Sequence, residues 1–314
     1  MHIKRIAVVG AGTMGLGIAQ TYAANGLPTA LIDVKEEALD FAKKMVATNV
    51  ESLLKAEVIT PEQAAATAEN LIYSTEMSAA ADADLVVEAV PENVKIKSAV
   101  FTALDEVCRP DTILTSTTSA MDIYDEITVS HPERLLIAHW CNPPHILPLV
   151  EIVAGPETKP EIVKAVRAQL EAIGKAPVVL NQYIPGFIVN RLNLALMREC
   201  AYMVEQGWIS AEDVDIAYSN NQGLKAPFEG PLEMVDYIGW DIGFAAGMML
   251  YPFISSSTDP SELAQTMLAE GKLGVKSGQG LYDYSGKSRE EVMRERDERV
   301  LAVLKVAQQI RRDR

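Results

Sequence analysis

The sequence predicts an α/β domain built on a mainly parallel sheet, followed by an all-helical C-terminal domain. Three observations predict it. Short apolar, β-branched runs alternate with helical patterns in the first part of the chain, a glycine-rich turn joins the first run to the first helix, and the alternation stops at "YIPGF", Tyr183–Phe187. Strand alternating with helix means parallel strands covered on both faces. A chain of 314 residues exceeds what one core fills, since single cores stop growing at about 250–300 residues. The boundary is placed near Ile184, giving domains 1–184 and 185–314.

Ile6–Val9 has no polar alternation, as a strand buried on both faces requires. From Thr13 to Asn25, Met14, Ile18 and Tyr22 keep helical spacing, and Gly26 stands where a glycine stops a helix. Further strands are expected at Thr29–Asp33, Leu85–Val90, Ile113–Ser116, Leu135–His139, Leu149–Val153 and Pro177–Leu180. Beyond Ile184 helices are expected at about Phe187–Gln206, Ser210–Tyr218 and Leu232–Tyr251. A charged C-terminal helix follows, with Val292, Val300, Val303, Leu304 and Ala307 as its apolar stripe. An all-helical domain with so much aliphatic and methionine surface is expected to hide it in a homodimer.

Composition excludes some classes. A net charge of −15 and a pI near 4.8 oppose phosphate backbones and acidic membranes, so no nucleic-acid or membrane partner is expected. Cys108, Cys141 and Cys200 are widely spaced and odd in number, which fits reduced thiols rather than a disulfide framework or a zinc site. No stretch reaches the ~18 apolar residues of a membrane span, and the N-terminal apolar run is short for a signal peptide. A cytoplasmic protein acting on a small-molecule substrate, with no metal, is the expectation.

The stretch "VVGAGTMG" sets Gly10, Gly12 and Gly15 in G-x-G-x-x-G register after a strand and at the start of a helix. That context makes a weak motif strong, because the helix amides at Thr13, Met14 and Gly15 can hold a diphosphate. Asp33, at the end of the second strand, can accept from adenosine ribose hydroxyls and would repel a 2′-phosphate. NAD is therefore the expected cofactor and a Rossmann-type domain the expected fold.

In "IAHWCNPPHILPLVEIV", His139 ends a strand at the sheet edge where ligands bind, and Glu151 lies among residues that should be buried. A buried carboxylate needs a partner. An imidazole held by a carboxylate keeps one tautomer and offers its other nitrogen as a base. Hydride transfer from an alcohol needs such a base, although spacing alone leaves a purely structural pair equally open. His145 is either at the pocket rim or structural.

The ordered set "GAGTMG", "VVEAVPENVKIK", "TSTTSAM", "HWCNPPHILPLVEIV", "PGFIVNRL" and "GKLGVKSGQGLYDY" resembles the 3-hydroxyacyl-CoA dehydrogenase family over nearly the whole chain. The resemblance implies an NAD domain followed by a helical dimerisation domain. It implies that His139 is the catalytic base, that Glu151 orients it, and that Ser119 and Asn190 contact the substrate oxygen. It also sets Glu92 and Lys97 near the nicotinamide end of the cofactor.

The chain departs from the acyl-CoA members of that family. Its Val34–Leu71 excursion carries Lys35, Lys43, Lys44 and Lys55 against seven acidic residues, which opposes a CoA phosphate. Thr117 stands where asparagine is usual. "HWCNPPH" and "GLKAPFEGPLE" are more like the branch that oxidises free hydroxy acids: L-gulonate 3-dehydrogenase (lambda-crystallin), carnitine dehydrogenase and pyridine-carboxylate dehydrogenase. There Lys225 would hold a substrate carboxylate as a point charge. The leading expectation is hydride transfer between NAD and the 3-hydroxyl, or an equivalent alcohol, of a small carboxylate-bearing compound. L-3-hydroxyacyl-CoA oxidation and a non-catalytic NAD-binding role remain as alternatives.

Overall fold

Apolar runs too short to be helices become strands. In the computed structural model of the chain, which describes residues 2–312, they are β1 (Ile6–Val9), β2 (Thr29–Ile32), β3 (Leu71–Ser74), β4 (Leu85–Glu88), β5 (Ile113–Ser116), β6 (Leu135–Trp140), β7 (Leu149–Ala154) and β8 (Ala176–Leu180). Between them lie α1 (Thr13–Ala24), α2 (Glu36–Lys55), α3 (Pro61–Asn70), α4 (Val94–Val107), the short α5 (Ile123–Glu126) and α6 (Pro160–Ala172). The strands form one sheet in the order β3-β2-β1-β4-β5-β6-β7-β8. Every pairing is parallel except β6 with β7.

Successive strand residues feed opposite faces of the sheet. Ile6 and Val8 pack with Leu31, Leu85, Val87 and Tyr22, whereas Ala7 and Val9 pack with Ile32, Val86, Phe101 and Leu104. β1, β2, β4, β5 and β6 are buried along their length, so all five were legible as apolar runs. β3 was not. It is an edge strand whose Ile72 is 58% exposed and of whose four residues only Leu71 is buried, so it carries no run buried on both faces.

The compact first unit runs from Met1 to Asn190. It continues past Ile184 because the amides of Ile188 and Val189 are tied to Glu151 of β7.

The second unit, Arg191–Arg314, takes up most of α7 (Val189–Glu205), then α8 (Ala211–Lys225), α9 (Glu233–Ile238), α10 (Trp240–Leu250), α11 (Glu262–Ala269) and α12 (Arg289–Arg312). α8 continues beyond Tyr218 through "SNNQG", a run with turn composition. Asn220 stays helical by donating to the Ile216 carbonyl one turn back, at 2.8 Å. The α12 stripe also needs correction. Leu301, Leu304 and Ala307 are buried while Val303 is 57% exposed, because position 303 is rotated about 100° from 304 on a helix of 3.6 residues per turn. The last two residues expected in this helix lie outside the described residues.

Candidate active site

The C-terminal ends of β1 and β4 form the switch point of the sheet, where ligands bind in doubly wound folds. The glycine turn follows β1. Gly10 has φ +106°, and a Cβ there would meet the Ala89 carbonyl oxygen at 2.6 Å. A Cβ on Gly15 would lie 1.7 Å from the Gly10 oxygen, so neither position admits a side chain. A Cβ on Gly12, by contrast, would meet nothing within 4 Å. Gly12 is also the N-cap of α1, with no side chain capping the helix. The first amides of α1, at Thr13, Met14 and Gly15, therefore lack a capping side chain beside open space, as a diphosphate requires. Asp33 clamps this turn: its carboxylate accepts from the amides of Ala11 (2.8 Å) and Lys35 (3.0 Å). Each oxygen keeps a lone pair for a ribose hydroxyl. The residues fit NAD, which when bound supplies the hydride acceptor.

At the end of β4 stands Glu88, with no solvent exposure. Its oxygens accept from Lys97 Nζ (2.8 and 2.9 Å), Ser116 Oγ (2.6 Å) and the Val90 amide (2.8 Å). Lys97 is thus a buried ion-paired lysine, 1% exposed, rather than an ammonium open to solvent. It also reaches Glu92 at 3.2 Å. Glu92 accepts from the Thr118 hydroxyl and from the Ser119 amide (3.3 Å). Burial opposes its ionisation, but Thr118, Lys97 and the Ser119 amide outweigh that and hold its carboxyl below the usual range.

His139 and Glu151 face each other because β6 and β7 are antiparallel with these two residues in register. His139 Nδ1 lies 2.7 Å from Glu151 Oε2. The other oxygen, Oε1, accepts from the amides of Ile188 (2.7 Å) and Val189 (3.1 Å), where α7 begins. Burial works against a charge on Glu151, yet the imidazole and the two amides prevail and keep its carboxyl below the ordinary range. The Phe187 ring covers His139 at 5.4 Å between centroids.

Ser119 follows β5, the parallel neighbour of β6, so it and His139 share one sheet edge. Its amide is held by Glu92, and its carbonyl accepts from Asn190 Nδ2 at 3.0 Å. Asn190 keeps a second N–H. Thr117 has a structural use: its hydroxyl accepts from the Trp140 amide at 3.2 Å, tying the serine turn to the histidine strand. The fold thus brings Ser119, Asn190 and Glu92 together, pairs His139 with Glu151, and groups Gly10, Gly12, Gly15 and Asp33 at the turn. Lys225 belongs to the helical unit, where its ammonium faces Glu229 at 3.6 Å.

The loop 141–148 after β6 is held by Lys175, a residue unremarkable in the sequence. Its ammonium donates to the carbonyls of Pro144 (2.6 Å) and Leu147 (2.9 Å) and lies 5.1 Å from the centre of the Trp140 ring. On the loop's other side, Pro144 and His145 pack over Gly17 of α1, where a Cβ would meet them at 2.8 and 3.0 Å. His145 is therefore a packing residue against the dinucleotide helix. Cys141 is pushed up to about 11 by burial, so it is no nucleophile.

Burial pushes the Lys175 amine from 10.5 down to about 7. Between those values the unfolded chain binds the proton that the folded chain releases, so stability rises with pH across that window. The urea midpoint of wild type relative to Lys175→Met is expected to increase from about pH 6.5 to about pH 9.5. A constant difference would show that the side chain keeps its ordinary proton affinity.

Sequence reasoning missed Glu88, Ser116 and Lys175 as parts of this region. Glu88 had a signal, a carboxylate closing the otherwise apolar run "LVVE". Lys175 had none.

Comparison with known proteins places these features in context. Residues 5–183 match the NAD binding domain of 3-hydroxyacyl-CoA dehydrogenase, and residues 186–284 match its C-terminal domain. The chain is 34% identical over 306 residues to a 5-formyl-3-hydroxy-2-methylpyridine 4-carboxylate 5-dehydrogenase of Mesorhizobium japonicum, covering 97% of this chain and 98% of that one. It is 35% identical to a probable 3-hydroxybutyryl-CoA dehydrogenase of Bacillus subtilis, covering 92% and 100%. Among solved structures, a 5-formyl-3-hydroxy-2-methylpyridine 4-carboxylic acid 5-dehydrogenase, an NAD+-dependent dismutase, superposes with a TM-score of 0.90 at 34% identity, covering 98% of this chain and 99% of that one. For a (S)-3-hydroxybutyryl-CoA dehydrogenase of Ralstonia eutropha the TM-score is 0.72 at 31% identity, covering 90% and 99%.

Proposed function

The chain belongs to the 3-hydroxyacyl-CoA dehydrogenase family and is an NAD-dependent oxidoreductase, and from that premise we propose that it oxidises the hydroxyl of a small carboxylate-bearing compound, with His139 as base. The carrying observation is the 2.7 Å pairing of His139 Nδ1 with a buried Glu151. An ionised Glu151 holds the Nδ1 proton, which leaves the Nε2 lone pair as the base. Nε2 accepts the substrate hydroxyl proton in oxidation and returns it in reduction. The Ser119 hydroxyl and the remaining Asn190 N–H polarise the substrate oxygen, while Glu92, held from beneath by the buried Lys97, bounds the nicotinamide end. Gly10, Gly12, Thr13, Met14, Gly15 and Asp33 hold the rest of NAD.

Three observations favour a free acid over a CoA thioester. The Mesorhizobium relative is named for a pyridine carboxylate, the Val34–Leu71 excursion is net acidic, and its Lys43 is occupied by Asp40 at 3.0 Å. Screening NAD reduction with free hydroxy acids against their CoA thioesters, and with carboxylate-bearing aldehydes, is expected to give turnover with the free acids. Activity confined to thioesters would establish the 3-hydroxybutyryl-CoA reading, which the Bacillus relative favours.

Lys225 is the proposed carboxylate anchor, a substrate carboxylate replacing Glu229 as its partner. Lys225→Ala should raise KM for an acid substrate about 10–100-fold, the value of a charge-assisted hydrogen bond. An unchanged KM would remove Lys225 from the site.

The helical unit is also the proposed homodimer surface. α7 and α10 expose Leu192, Leu194, Met197, Phe244, Met248 and Met249, large apolar side chains of the kind a partner surface covers. Sedimentation should give a two-chain species that Phe244→Glu converts to single chains; a wild-type monomer would refute the assignment. No helix among the described residues is long and apolar enough to cross a membrane. With its cysteines unpaired, a reducing compartment such as the cytoplasm is proposed.

A further inference from the structure

Glu88 and Lys97 pose a problem of cost. Two charged groups, 0% and 1% exposed, are buried at the switch point, Glu88 at the end of β4 and Lys97 on α4, where an apolar pair would serve stability as well or better. Their contacts show what they hold. Lys97 has three N–H groups and satisfies both oxygens of Glu88 (2.8 and 2.9 Å) and one of Glu92 (3.2 Å). Glu92 binds the Thr118 hydroxyl, the Thr118 amide donates to Ser116 Oγ (3.2 Å), and Ser116 Oγ donates back to Glu88 (2.6 Å). The five residues therefore close a ring, completed through the Thr118 backbone, that joins the end of β4, the start of α4 and the end of β5.

Ser119 is attached to the outside of this ring. Its amide donates to Glu92 (3.3 Å), and the next two amides, Ala120 (3.4 Å) and Met121 (3.0 Å), donate to Thr118 Oγ1. Asn190 holds the Ser119 carbonyl from the opposite side.

We infer that Glu88 is a positioning residue: as the buried corner of this ring it fixes Lys97, and through Lys97, Glu92 and Thr118 it sets the backbone that carries the Ser119 hydroxyl. The inference rests on the proposed role of Ser119 for its effect on turnover, but the mechanical link stands on the ring alone. Glu88→Gln keeps the volume and the acceptor for Ser116 and removes the charge. Lys97 then has Glu92 as its only carboxylate and draws it away from the Ser119 amide. Glu88 touches neither cofactor nor substrate and acts only through this chain of contacts.

Two measurements test it. Hydrogen exchange on the protein without added cofactor should show the Ser119, Ala120 and Met121 amides exchanging about tenfold or more faster in Glu88→Gln, with the β1 and β5 amides unchanged. With a substrate found by the screen, Glu88→Gln should lower kcat about 10–100-fold, as misplacement of a positioned group does. The double variant with Ser119→Ala should be no slower than Ser119→Ala alone. If Glu88→Gln does not fold, Thr118→Val opens the same ring at another link and should give both results. Unchanged exchange in a folded variant, or kinetic losses that multiply, would overturn the inference. Faster exchange with unaltered turnover would instead overturn the role of Ser119 and leave the ring intact.

Discussion

His139→Ala is expected to lower kcat for NAD reduction by about 10²–10⁴-fold, the usual contribution of a positioned general base, while NADH binds as it does to wild type. The separation follows from the fold. The glycine turn, Asp33 and the first amides of α1 lie on β1, β2 and their connections, whereas His139 stands on β6, with β4 and β5 between. Steady-state kinetics with a substrate from the screen, beside a fluorescence titration with NADH, checks both halves. Undiminished turnover would mean that another group takes the hydroxyl proton. A wild type that binds NADH and turns over no alcohol or aldehyde would establish the non-catalytic reading.

The second large effect belongs to Glu151, because one carboxylate does two jobs. Glu151→Ala leaves His139 Nδ1 and the amides of Ile188 and Val189 without their acceptor. Leaving buried donors without an acceptor costs about 1–3 kcal/mol for each, so the variant should unfold at markedly lower urea as well as lose activity. Glu151→Gln separates the two jobs. Its carbonyl oxygen can still receive the α7 amides, so most stability should return. Activity should stay low, since a neutral amide no longer stabilises the imidazolium that forms in the reaction.

The acid limb gives the same pair a signature. The folded carboxyl is held below its unfolded value, so the unfolded chain takes up the proton first as pH falls. The stability Glu151 contributes is therefore complete above its unfolded pKa of about 4.3 and is lost as pH drops through the lower folded value. The urea midpoints of wild type and Glu151→Gln should converge over that range. A gap that persisted into strong acid would show that the charge is not what the two amides and the imidazole bind.

Much of this was legible in one dimension. Ile6–Val9 is wholly apolar because it is buried on both faces, and Ile113–Ser116 admits Thr115 and Ser116 because their hydroxyls donate to Val86 and Glu88 of β4. The glycine register was legible for a similar reason: Gly10 and Gly15 answer a steric demand set by close neighbours in the turn. Even the His139 and Glu151 pairing could be expected, since a carboxylate in "LPLVEIV" must find a partner. β3 and the end of α8 were not legible. The first is half solvated, and the second carries turn residues whose side chains bond back to the helix.

Residue order alone decides here what depends on local sterics and on the cost of burying polar groups: the strand runs, the glycine turn, the need of Glu151 for a partner. Tertiary structure decides which distant groups supply the partners. The antiparallel turn between β6 and β7 sets His139 opposite Glu151, and the start of α7 supplies the two amides that fill the other oxygen. The Lys97 ammonium is turned into the sheet toward Glu88, and Lys175 lies beneath the proline loop, on contacts 9 and 31 residues apart in the chain. A charged side chain reads the same in sequence whether water or a carboxylate faces it, and only the packing of strands and helices around it removes the water.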